Sequence, residues 1–311
     1  MIEVCKYSPV KADIWDAFVD ASKNGTFMLK RGYMDYHADR FVGHSLMFYN
    51  EDELVALLPA SQHDKELRSH GGLTYGGLVV TTKITVQLVL EIFETLKDYL
   101  KENHFTSLIY KRVPSIYYRY PSDEDLYALY RVGANLVRCD IASVIYQSNK
   151  IKFSERRRRG SKQAQKQGIV VRLSDDYDTY IAILGDILKK YHNAKPVHTA
   201  SELKLLAGRF PENIKLYAAY KENNMLAGVV IYETDNVAHA QYIANSDEGR
   251  QCGALDMVMD YLINQQYTGK EYFDFGISTE DNGRYLNEGL ITQKQEFGGR
   301  GVVYDFYELK V

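Results

Sequence analysis

Cysteine is scarce and scattered. Cys5, Cys139 and Cys252 are too few and too far apart for a disulfide framework or a cysteine zinc site. No stretch approaches the roughly 20 apolar residues of a membrane-spanning helix. The start, Met1-Ile2-Glu3-Val4-Cys5-Lys6, lacks the basic and apolar regions of a secretory leader. These absences read as a reduced, cytoplasmic protein without a transmembrane segment. A net charge of −3 argues against a DNA-binding protein, though it leaves room for a local basic patch. Histidines are also sparse. His63, His70, His192 and His198 fit no zinc spacing, so no metal is predicted. Ser45 and Ser61 lack the context of a nucleophile elbow, and Gly71 to Gly77 lacks the Lys-Ser/Thr that completes a P-loop.

What remains is an ordinary globular composition, 45% apolar and 25% charged over 311 residues, enough for one large domain or two of about 150 residues. In the first half, Ser8 and Pro9 open a helix carrying Ile14, Trp15, Phe18 and Val19. Ser45–Tyr49 and Glu53–Ala60 read as a hairpin. The glycine-rich segment Gly71–Gly77 follows, expected to let the chain pass close to a cleft between domains. Ile84, Leu88, Ile92, Leu96 and Leu100 then recur every fourth residue, the mark of an amphipathic helix. The second half repeats the plan. Tyr177, Ile181, Leu184, Leu188 and Tyr191 mark a helix, and Thr199 with Glu202 reads as a capping box. Ile214–Tyr220, Leu226–Tyr232 and Val237–Ile243 read as a meander. A glycine-bearing turn, a helix with Leu255, Val258 and Leu262, and the strand Tyr272–Phe275 complete it. We therefore expect an α/β fold with mixed sheets, two tandem domains over 1–150 and 151–311, and a cleft between them.

Two features carry chemistry. The turn Gly249-Arg250-Gln251-Cys252-Gly253-Ala254 leads from a strand into a helix, whose first amides and dipole can hold a phosphate. The run Arg156-Arg157-Arg158-Arg159, with Lys162 and Lys166, is either a solvated helix face or an electrostatic landing site for a phosphorylated substrate. Asp274, in a run of aromatics, is expected to be shielded and in need of a partner.

Three stretches stand out together: Ser154–Arg159 running on to Gly168–Val171, then Tyr242–Ala244 through Arg250 and Gly253-Ala254, and last Tyr272–Gly276 combined with Lys294–Gly299. They resemble the GCN5-related N-acyltransferase (GNAT) superfamily, and the whole chain resembles its tandem-domain FemABX-like branch of peptidoglycan aminoacyltransferases. The resemblance implies acyl transfer to an amine. Acyl-CoA (acetyl-CoA) would be held by Gly249, Arg250, Gln251, Cys252, Gly253 and Ala254, on the pattern R/Q-x-x-G-x-G/A. Leu255 stands where that pattern has glycine or alanine, and Gln293 where an aromatic precedes the lysine. Lys294 would stabilise charge developing on the donor. Asp274 would accept a proton or cap a loop. His239 and Gln241, alternating along one strand face, would orient the nucleophile, or His239 would be a core histidine. Tyr285 would protonate a leaving thiolate. Arg156, Arg159, Gln241 and Tyr242 would meet the acceptor, a small molecule or sugar nucleotide of the cell envelope. An aminoacyl-tRNA is the less favoured donor, and a non-catalytic ligand-binding module is the competing class.

Overall fold

The computed structural model describes residues 2–192 and 194–311. The side chains of Tyr191 and His192 lie outside the described set, and with them that part of the histidine reading. The chain divides into two compact units. One comprises Met1–Asp140, Thr279–Tyr285 and Val303–Val311, the other Ile141–Ser278 and Leu286–Val302. The first passage between the units thus falls at Asp140/Ile141, where residue 150 was expected, and the C-terminal strand lies in the first unit from Val303 onward.

In the first unit, Ile2–Lys6, Leu46–Asn50, Glu53–Leu58 and Val79–Val80 form an antiparallel sheet. The expected hairpin turns at Glu51, whose φ is 55°. The fourfold-spaced helix runs Val86–Glu102, capped by Thr85, whose hydroxyl accepts from the Leu88 amide. Its apolar stripe buries Val89, Ile92, Phe93, Leu96 and Leu100 in the same core as Leu46 and Phe48, each worth about 1.5–3 kcal/mol. The C-terminal strand Arg300–Lys310 pairs antiparallel with Ser107–Lys111, from Phe306↔Lys111 to Lys310↔Ser107. Within its own unit the glycine-rich segment is wrapped round an ammonium. Lys111 Nζ donates to the carbonyls of His70, Gly71 and Leu73 at 3.0, 3.2 and 2.8 Å, and burial brings its pKa down to about 8.

In the second unit, Val170–Ser174, Ile214–Lys221, Asn224–Glu233 and Val237–Asn245 form an antiparallel run, as the meander predicts. The next strand, Tyr272–Ile277, joins it parallel and pairs on its far side with the end of Asn135–Tyr146. A parallel neighbour requires a crossover. That crossover is the helical stretch from Asp247, through the helix Ala254–Tyr261, to Gln266. Leu255, Val258, Met259 and Leu262 from it meet Ala219, Val229, Ile231 and Ala238 of the sheet in one core. The helix Tyr177–His192 seats the Tyr180 ring over Gly228, where a Cβ would stand 2.9 Å from it. The Thr199–Glu202 capping box is present in both directions. Among the described residues no helix is long and apolar enough to cross a membrane, and no group of three metal-ligating side chains stands together.

Candidate active site

The site starts from a defect in strand pairing. The parallel pair Val237–Asn245 and Tyr272–Ile277 stays in register from Val237↔Tyr272 to His239↔Asp274, and its pairing ends there. Just beyond, Val230 faces Tyr242 while Ile231 faces Ala240, so Gln241 is the extra residue of a β-bulge. On the other strand Gly276 adopts φ +71°, and the register against Asn135–Tyr146 slips between Asp274 and Ile277. Bulges bend a strand, re-aim its side chains and leave backbone groups unpaired. Both strands are disrupted just past His239 and Asp274.

Asp274 is fully buried, and two donors satisfy it. His239 Nδ1 donates to its Oδ2 at 2.8 Å, and the Gly276 amide donates to its Oδ1 at 2.7 Å. A buried carboxylate in this setting fixes the imidazole tautomer with hydrogen on Nδ1. His239 Nε2 is then left as an acceptor, with no partner among the described residues. Gly276 is needed both for its left-handed backbone and for its closeness to the ring: a Cβ there would lie 3.2 Å from His239 Cε1.

Lys294 completes the cluster. Only 4% exposed, it donates from Nζ to the carbonyls of Gly276 and Ile277 at 2.9 and 2.6 Å. Burial brings the ammonium down to about 8, opposed by the nearby Asp274 charge. Lys294 also stands on the wall of a cavity of about 410 Å³. Ile243, Leu255, Met259, Phe275 and Phe297 form the apolar part of that wall, and Arg156, Asn245 and Arg250 the polar part. Asn245 Oδ1 is buried there without a partner. Phe297 comes from the Lys294–Gly299 stretch that carries the resemblance, whereas Asn245 belongs to no motif and only its place in the fold brings it here.

The glycines of the turn act differently from the sequence expectation. Ser246 caps a short helix, Asp247–Cys252, by accepting from the Gly249 amide at 3.0 Å. Gly249 lies inside that helix, where a Cβ would come 2.5 Å from the Leu226 carbonyl oxygen. Gly253, at φ +79°, ends it, and a Cβ there would come 2.3 Å from the Gly160 carbonyl oxygen. The room these glycines make is therefore filled by protein backbone. Cys252 and Ala254 face the core, and Gln251 uses its carbonyl to accept from Gln163. Arg250 and Gly253 are the members of the turn on the cavity wall. The next helix, Ala254–Tyr261, opens on that wall with Gly253, Leu255 and Asp256, and no side chain caps it.

The basic run splits by role. Arg157 is buried, donating to Asp256 at 2.9 Å and pairing with Glu296 at 2.8 Å, its guanidinium 4.7 Å from the centre of the Phe297 ring. It is a structural bolt. Arg156, with its side chain 75% exposed, lines the cavity. Arg159 is exposed, pairs with Glu155 and is not on the wall. Gln241 has its Oε1 buried without a partner. Because it is the bulge residue, its alternation with His239 does not hold as the sequence implied. Tyr242 OH hydrogen-bonds His198 Nδ1, their rings edge to face at 5.6 Å. The sequence assigns His198 no role beyond that of a non-ligand, and its one local signal is the neighbouring cap residue Thr199. Tyr285 belongs to the first unit and is 57% exposed.

Comparison with known proteins bears on this arrangement. The model of the acetyltransferase (GNAT) domain matches residues 152–285, the span that holds the bulge, the turn and Asp274. No curated protein matches the chain in sequence. Among solved structures, FemX superposes with a TM-score of 0.70 at 11% identity, covering 99% of this chain and 97% of its own. The C-terminal domain of a candidate lysylphosphatidylglycerol synthetase from Agrobacterium fabrum gives 0.64 at 10% identity, covering 97% and 92%. A tandem GNAT protein from the clavulanic acid biosynthesis pathway gives 0.54 at 10% identity, covering 100% and 98%. At these identities the likeness is one of fold.

Proposed function

We propose that the chain, whose residues 152–285 match the acetyltransferase (GNAT) domain model and whose fold resembles FemX and a tandem GNAT protein, is an acyltransferase that moves an acyl group from acyl-CoA to a small amine acceptor. An amino sugar or sugar nucleotide of cell-envelope synthesis, handled in the cytoplasm, fits the exposed Arg156 at the cavity wall. The observation that carries the reading is the His239–Asp274 pair, its Nε2 unpartnered, linked through Gly276 to the buried Lys294 on that wall.

In this reading the neutral amine attacks the thioester carbonyl, and the carbonyl π electrons move onto oxygen. His239 Nε2 takes the proton shed by the new C–N bond, while Asp274 balances the imidazolium. Lys294 offsets negative charge at the reacting end of the donor, a large lever in a site shielded from water. The oxyanion electrons then re-form the carbonyl as the C–S bond breaks, and the thiolate leaves, taking up the proton held by the His239 imidazolium directly or through solvent. Arg250 and the uncapped helix at Gly253 supply positive potential for the donor's pyrophosphate. Release of free thiol from acetyl-CoA with a panel of amines tests the proposal. Isothermal titration of acetyl-CoA tests the donor, with Arg250→Ala expected to weaken binding about tenfold. Binding without thiol release would leave a ligand-binding module, and absence of binding would remove CoA as donor.

A second reading, an aminoacyl ester carried by tRNA, is favoured by one observation. Leu255 stands on the wall at the small-residue position, and Gly249 and Gly253 spend their freedom on protein contacts. Retention of aminoacyl-tRNA on filters, with no heat from acetyl-CoA, would select it.

The lowered pKa of Lys294 gives a pH test. The ammonium is charged below about 8 and neutral above. If its charge serves the transition state, kcat falls roughly tenfold per unit as pH rises past about 8. Lys294→Met should lower kcat by about a hundredfold and remove that limb. A wild-type rate flat from pH 7 to about 10 would leave Lys294 as a structural clamp.

A further inference from the structure

The basic helix Glu155–Lys166 has a second face that the proposed reaction does not use. Arg158, Ser161, Lys162 and Gln165 follow the i, i+3, i+4, i+7 spacing of one helix side. With Lys150, Ile151 and Lys152 of the preceding segment they line a shallow depression of about 520 Å³, distinct from the Lys294 cavity. Lys152, Arg158 and Lys162 are exposed, and none has an acidic partner among the described residues. The one acid lining it, Asp260, is occupied by Ser161 Oγ and Asn264 Nδ2, each at 2.8 Å. Lys166 extends the stripe by one more turn. Between the two lysines, Ile151 stands 45% exposed. A protein of net charge −3 thus concentrates an excess of positive charge, four basic side chains against the single Asp260, on one face and sets an exposed aliphatic side chain in it.

We propose that this face docks the protein onto an anionic lipid bilayer. Lys150, Lys152, Arg158 and Lys162 would meet the head groups, and Ile151 would enter the interface. Charge complementarity supplies the attraction: juxtamembrane lysines and arginines each add to binding at an anionic surface, within a Debye length. One aliphatic side chain is a weak anchor alone, so the combination gives reversible attachment. Ile151 favours lipid over nucleic acid. Single-stranded nucleic acid is held by exposed aromatic platforms, and the aromatic of this face, Phe153, is 9% exposed and packed on Phe297.

The test is co-sedimentation of the full chain with vesicles of phosphatidylcholine alone and with about one third phosphatidylglycerol. Binding is expected only to the anionic vesicles and should disappear at about 0.5 M salt. The triple change Lys152→Glu, Arg158→Glu, Lys162→Glu should lower partitioning by roughly a hundredfold or more. Ile151→Asp, at a side chain already in solvent, tests the same face should the triple variant misfold, and should lower partitioning several-fold. Equal binding to neutral vesicles, or binding that survives both variants, overturns the proposal. So does tighter retention of a duplex RNA that the triple variant loses, which would assign the face to nucleic acid. None of these readouts depends on acyl transfer, so the proposal stands or fails apart from the reaction.

Discussion

Replacing His239 by alanine is expected to lower kcat by a factor on the order of a hundred to ten thousand, with KM for the acyl donor nearly unchanged. The split follows from position. His239 is not on the wall of the cavity assigned to the donor, so its loss leaves ground-state binding intact. What it removes, in the proposed reaction, is the proton acceptor, an imidazole hydrogen-bonded to a fully buried carboxylate. Asp274→Asn should reproduce much of the loss, because a neutral amide no longer balances the imidazolium. Steady-state kinetics of thiol release, with circular dichroism to confirm folding, decides the matter. A variant that keeps more than about a tenth of wild-type kcat would make His239 a packed core histidine, with the base elsewhere.

The second large effect concerns stability. Gly253→Ala should cost about 2–5 kcal/mol. An L-residue at φ +79° costs roughly 1–2 kcal/mol, and overpacking in a close-fitted contact adds roughly 1–3 kcal/mol. The contact here is backbone, the Gly160 carbonyl oxygen 2.3 Å from the new Cβ, so no side chain can swing aside. Gly168 provides the internal control. It too is left-handed, at φ +74°, but nothing lies within 4 Å of its Cβ position, so Gly168→Ala should cost only the conformational part. Urea unfolding midpoints of the two variants separate strain from collision. Equal losses would mean that the basic helix shifts freely against the helix Ala254–Tyr261.

Much of this molecule was legible because its signals are local. The fourfold recurrence from Leu88 to Leu100, the Thr199–Glu202 box and the strand around Asp274 each depend on near neighbours, and each formed as expected, although Ile84, the first of the series, lies before the Thr85 cap and outside the helix. What escaped depends on residues far apart in sequence. No property of Gln241 announces a bulge; it arises from how two strands register. Gly249 and Gly253 looked like room for a phosphate, because the sequence does not tell that Leu226 and Gly160 arrive there. Arg157 looked like one of four surface arginines until Asp256 and Glu296 closed on it. The pairing of Phe306–Lys310 with Ser107–Lys111 is likewise invisible to any local pattern.

The chain's path has a practical corollary. Because the polypeptide passes from one unit to the other at 140/141, 278/279, 285/286 and 302/303, no single cut separates them. A fragment beginning at residue 141 would still carry Phe306–Lys310 but would have lost Ser107–Lys111, on which that segment hydrogen-bonds. The exposed amides would invite self-association of the fragment. Dissecting the protein into halves would therefore report on the wound rather than on either half, and point substitutions in the intact chain are the sounder instrument.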